Sequence, residues 1–158
     1  MKWDKATDII LIAAIAVLGV FTILGLYQWV KRKSIKKVDR TLLAMIPSTI
    51  LMAVTYFIFD KIWVLNTRPN GSGEPSFPSS HTMAVATIFL LTMIALPKYI
   101  KNKPLRIMLD VVMCALIVIT AVGRVLANMH WVSDVIAGLI FSVFFASIYL
   151  LIKKEKHV

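Results

Sequence analysis

Residues 132–152 read VSDVIAGLIFSVFFASIYLLI, twenty-one positions with a single charged side chain, Asp134, close to the start. A helix needs about 20 mostly apolar residues to cross the roughly 30 Å hydrocarbon core of a bilayer, and this run supplies them. Four further runs meet or approach the requirement, at about 9–30, 41–59, 82–96 and 107–122. Pro47 falls within the second; a membrane helix tolerates proline when neighbouring helices satisfy the freed carbonyl. The pattern predicts an all-α, polytopic integral membrane bundle of about five transmembrane helices, forming one transmembrane domain over 1–158.

The composition excludes other classes. Of the 158 residues, 59% are hydrophobic and only 16% charged, too little polar surface for a water-soluble domain. The formal net charge of +10 is arranged for a membrane rather than for nucleic acid. Lys31, Arg32, Lys33, Lys36, Lys37 and Arg40, then Lys98, Lys101, Lys103 and Arg106, then Lys153, Lys154 and Lys156 all fall on one side of a five-span bundle. The positive-inside rule makes that side cytoplasmic, with the N-terminus outside and the C-terminus in the cytoplasm. Trp3, Trp29, Trp63 and Trp131 fall at span ends, as interfacial anchors do. The first span is read as a retained helix rather than a signal peptide, since its basic cluster follows it. The lone Cys114 says nothing about redox compartment.

Two segments at the non-cytoplasmic face do not fit hydropathy: 60–81, DKIWVLNTRPNGSGEPSFPSSH, and 123–134, GRVLANMHWVSD. His130 and Asp134 are four apart, so on a helix they share a face, and a carboxylate on one imidazole nitrogen leaves the other free as base or nucleophile. Arg124 offers a fork of donors suited to phosphate. Ser79 or Ser80 is an N-cap for the third span, whose opening turn presents free N–H groups to an anion. Lys61 and Arg68 lie at the outer end of the second span, where snorkelling is the plain alternative. Asp110, four residues after Arg106, is expected to form a local ion pair, and His157 to have no role.

Together these residues resemble the signature of the type 2 phosphatidic acid phosphatase superfamily: K-x6-RP, PSGH and SR-x5-H-x3-D. Here they read K-IWVLNT-RP from Lys61 to Pro69, PSSH from Pro78 to His81, and GR-VLANM-H-WVS-D from Gly123 to Asp134. Ser80 stands where the family has glycine, and Gly123 where it has serine, which removes one hydroxyl. The first motif follows the second span rather than the third, as though an N-terminal helix of the family fold were missing.

The resemblance implies catalysis by His130 as nucleophile, Asp134 as its orienting carboxylate and His81 as general acid and base. Lys61, Arg68, Ser79, Ser80 and Arg124 would hold the phosphoryl oxygens. It also implies a metal-independent reaction without a cofactor. The expected substrate is a phosphate or diphosphate on a lipid within the bilayer, hydrolysed at the outer face of the cytoplasmic membrane, with undecaprenyl diphosphate favoured. Phosphatidylglycerophosphate, phosphatidic acid and lipid A 1-phosphate are the alternatives. A non-catalytic lipid-binding or lipid-transport protein is the rival of another class. No obligate protein partner and no nucleic acid are expected.

Overall fold

The structure, a computed structural model, describes residues 2–154; Lys156 and His157 lie outside it. Helix α1 spans Lys2–Arg32 and is followed by a short 3₁₀ turn at Ile35–Lys37. Helices α2 (Arg40–Leu43) and α3 (Met45–Phe57) run into a π-turn at Ile58–Ile62. Then come α4 (Ser80–Tyr99), α5 (Lys103–Leu126) and α6 (Val132–Lys154). Among the described residues five helical segments are long and apolar enough to cross a membrane, with α2, α3 and the π-turn forming one of them. Pro47 has no N–H for the carbonyl of Leu43, and the second span is interrupted there, between α2 and α3.

Helix α4 is the axle of the bundle and packs against α1, α3, α5 and α6. Its buried face alternates small residues with large ones: Thr82, Ala86 and Ala95 beside Met83, Phe89 and Leu91. Small side chains let helices approach closely where lipid offers no hydrophobic drive to association. Gly138 of α6 shows this: a Cβ there would stand 3.0 Å from the Ser79 carbonyl oxygen and 3.3 Å from the Met83 nitrogen. Hydroxyls join the helices further. Ser142 Oγ donates to the Met83 carbonyl at 3.0 Å, and Ser48 Oγ to the Phe145 carbonyl at 3.0 Å. The outward faces of α1 and α5 expose Ile9, Ile12, Val20, Val111 and Val118, an apolar belt suited to acyl chains. All four tryptophans are exposed near helix ends.

The basic end is closed by the loop between α1 and α2. The Asp39 carboxylate accepts from Lys98 Nζ and from Tyr99 Oη at 2.9 Å. Burial pushes the Asp39 carboxyl up, but those hydrogen bonds outweigh it and hold the group below the usual carboxylate range. Arg40 Nε donates to the Ile152 carbonyl and Lys153 Nζ to that of Ile94. Asp110 makes no ion pair with Arg106 among the described residues, and its Oδ1 is buried without a hydrogen-bond partner. The opposite end gathers the start of α1, the π-turn, the start of α4, the end of α5 and the start of α6. Both signature segments therefore meet there.

Candidate active site

The loop 66–76 folds back on itself, with Arg68 N donating to the Glu74 carbonyl at 3.0 Å and Ser76 N to that of Asn66 at 2.9 Å. Gly71 and Gly73 make the reversal at φ of 76° and 74°, which side-chain-bearing residues rarely adopt. A second loop, between α5 and α6, clasps it: Trp131 Nε1 donates to the Thr67 carbonyl at 2.9 Å. The carbonyl of Arg124 accepts from the backbone N–H of Met129 (3.2 Å) and of His130 (3.3 Å), fixing that loop to the end of α5.

His130 is 3% exposed. Its Nδ1–H donates to the Ser76 carbonyl at 2.7 Å, which sets the tautomer and leaves the lone pair on Nε2, a buried atom without a hydrogen-bond partner. Asp134, at 0% exposed, does not make the contact expected from the four-residue spacing: its Oδ2 lies 4.0 Å from His130 Nδ1 and accepts instead from Trp131 N at 2.9 Å. The physical reason is that α6 begins at Val132, so His130 sits in the loop before it and shares no helical face with Asp134. Burial, then the positive charges of Arg124 and Arg68, push the His130 imidazole down to about 4, outweighing Ser76 and Asp134. The ring is neutral at pH 7.

His130 walls a polar cavity of about 40 Å³ with Arg68, Ser76, Ser80, Asp60 and Tyr56 among its neighbours. Three lining residues carry a buried polar atom with no partner: His130 Nε2, Arg68 Nε and Ser76 Oγ. Unmet buried donors and acceptors are rare in folded proteins, and here three of the residues that wall one cavity carry them. Arg68 is anchored by Glu74 at 2.5 Å. Ser80 opens α4 beside the cavity, while the Ser79 hydroxyl is turned to that of Thr82 at 3.0 Å and caps no backbone N–H. Ser79 N donates to the Asp134 carbonyl at 3.0 Å, tying the start of α4 to that of α6.

Arg124 and His81 lie on the side facing α1. Arg124 Nη1 donates to Asp4 Oδ1 at 2.8 Å and to Thr7 Oγ1 at 3.3 Å, while its Nε is buried and unpartnered. His81 Nε2 donates to Asp8 Oδ1 at 2.9 Å. Lys61 stands apart: its side chain is 66% exposed, paired with Asp60 at 2.8 Å, and does not wall the cavity. It belongs to the π-turn, a rare local geometry often found at functional sites.

Sequence reasoning missed Asp4, Thr7, Asp8 and Ser76. The predicted first span begins at about residue 9 and leaves out the polar turn before it; the acids at 4 and 8, one helical turn apart at the face of the motifs, are the available signal. Ser76 acts through its backbone carbonyl and had none. The departure at Gly123 also finds its reason. A Cβ there would lie 2.8 Å from Thr7 Cγ2, so the missing side chain is what lets α1 come in and place a threonine hydroxyl beside Arg124.

The PAP2 superfamily model matches residues 41–157. Among solved structures, the chain is similar to a transmembrane PAP2-type phosphatidylglycerolphosphate phosphatase from Bacillus subtilis, with a TM-score of 0.67 and 21% sequence identity. The likeness covers 94% of this chain and 74% of that one, and at this identity it is a likeness of fold. No curated protein matches the sequence.

Proposed function

Because the chain belongs to the PAP2 superfamily and is a multi-pass membrane protein, we propose that it is a membrane lipid phosphatase working through a phosphohistidine at His130. The observation that carries this reading is the buried, unpartnered Nε2 of a neutral imidazole whose other nitrogen is anchored at 2.7 Å, in a cavity it shares with Arg68 and Ser80.

In the first step Nε2 attacks phosphorus, the bond to the leaving oxygen breaks, and His81 gives that oxygen its proton. In the second, water attacks phosphorus, His81 takes the water's proton, and the N–P bond breaks to release phosphate. Arg68 and Arg124 neutralise the phosphoryl oxygens, with Ser80 and the amides opening α4 as further donors. The buried Asp134 charge, 4.0 Å from Nδ1, favours the cationic imidazole formed after attack. With cations doing this work, turnover is expected to continue in excess EDTA.

A lipid substrate suits a site at one end of the bundle. Phe59 lies in ring contact with Phe77 (5.5 Å) and Phe141 (5.8 Å), an apolar flank between the π-turn and α6 along which an acyl or isoprenoid chain can lie. The basic residues at the opposite end support the outer face of the cytoplasmic membrane as the site's location. We favour undecaprenyl diphosphate as substrate. Phosphatidylglycerophosphate is the second reading, favoured by the similar fold from Bacillus subtilis. Phosphate release by the purified protein across undecaprenyl diphosphate, phosphatidylglycerophosphate, phosphatidic acid and lipid A 1-phosphate, with His130→Ala as control, tests this. Binding without turnover on all four would leave a lipid-binding protein instead.

A further inference from the structure

We propose that Asp8 is a positioning residue for His81, so that α1, which precedes the residues matched by the family, completes the acid–base half of the site. The inference rests on the phosphatase reading above and extends it.

Asp4 and Asp8 are the only acids on α1, one turn apart on one face, and Thr7 lies between them. Acids on a membrane helix are costly unless paired. Both reach signature residues: Asp4 Oδ1 lies 2.8 Å from Arg124 Nη1, and Asp8 Oδ1 lies 2.9 Å from His81 Nε2 and 3.9 Å from Arg124 Nη1. Gly123 provides the close approach this needs, since any side chain there would meet Thr7.

The two histidines thereby receive different partners. His130 donates to a neutral carbonyl, that of Ser76, which suits a nucleophile that must stay uncharged. His81 donates to a carboxylate, which suits a group that must hold a proton and release it. With Nε2–H on Asp8, Nδ1 is the nitrogen left to exchange the proton with the leaving oxygen and then with water. The charged groups facing His81 are Asp8 and Asp4 of α1 and Arg124 of α5. Removing Asp8 takes away the carboxylate 2.9 Å from Nε2 and with it a stabilising partner of the imidazolium.

The test uses the full chain in detergent with dioctanoyl phosphatidic acid and farnesyl diphosphate as probes. Asp8→Asn is expected to lower kcat about 10- to 100-fold, part of what general acid–base catalysis supplies. KM should change less than about threefold, and the alkaline limb of the kcat–pH profile should move down by about one unit. Asp8→Glu should recover part of both. An unchanged kcat and limb, or a loss of kcat with the limb in place, overturns the proposal. If Asp8→Asn does not fold, ¹⁵N-histidine spectra of the wild type still decide, because a His81 protonated on Nδ1 rather than Nε2 contradicts it. A wild-type protein without turnover on any lipid would instead sink the phosphatase reading, and the role of Asp8 with it, while the spectra still report the pairing itself.

Discussion

The imidazole of His130 hangs from the backbone of Ser76: Nδ1–H donates to that carbonyl oxygen at 2.7 Å, while Asp134 stands back at 4.0 Å and binds Trp131 N. A direct histidine–carboxylate pair is replaced by a backbone anchor with a buried charge behind it.

That arrangement orders the consequences of mutation. His130→Ala removes the attacking atom, and phosphate release should fall at least about a thousandfold with the protein still folded. Asp134→Asn leaves the Ser76 anchor in place, so kcat should fall about 10- to 100-fold, and thermal unfolding should show a loss of about 1–3 kcal/mol because a buried acceptor is weakened. An Asp134→Asn enzyme as inactive as His130→Ala would contradict the anchor.

The pH dependence follows from the neutral ring. His130 is pushed down to about 4, so between pH 5 and 8 its nucleophilic form is already present. The acid limb of kcat/KM due to this group should lie near 4 and not near 6.5. Stability has the same sign. The unfolded chain takes up a proton below about 6.5 that the folded chain refuses until about 4, so folding weakens as pH falls through that window, by up to about 1.4 kcal/mol per unit. A ¹⁵N titration of His130 near 6.5 would show that the burial is not as described.

Restoring the family's serine at position 123 should harm this protein. In Gly123→Ser the new Cβ meets Thr7 Cγ2 at 2.8 Å, and overpacking of this kind costs about 1–3 kcal/mol. Adding Thr7→Ser removes that methyl and keeps the hydroxyl, so the double variant should regain most of the stability in a thermal melt. No recovery would mean that α1 does not bear on Gly123.

Among the cations, Arg68 and Lys61 should differ. Arg68 walls the cavity with a buried, unpartnered Nε, whereas Lys61 is 66% exposed on its ion pair with Asp60. Arg68→Ala should raise KM or lower kcat about a hundredfold, and Lys61→Ala less than about tenfold, read in the same phosphate-release assay. Equal losses would show that Lys61 swings into the site when substrate binds.

What could be read from the letters alone were the properties that depend on sequence distance. Five apolar runs separated by charged loops determine five spans, because bilayer thickness sets the length and every backbone group must be satisfied within the helix. The spacing of Lys61 to Pro69, Pro78 to His81 and Gly123 to Asp134 determined which residues gather at one end, since alternating spans bring every second loop to the same face. What only the tertiary structure decided was which groups touch. Helix α6 starts after His130 and not before it, so Asp134 lost the contact its spacing promised. A backbone carbonyl has no letter of its own, so the anchor at Ser76 was invisible. Asp4, Thr7 and Asp8 look like the polar edge of a span until packing at Gly123 buries Thr7 and brings the two carboxylates onto Arg124 and His81, and a hydropathy window ends where their contribution begins.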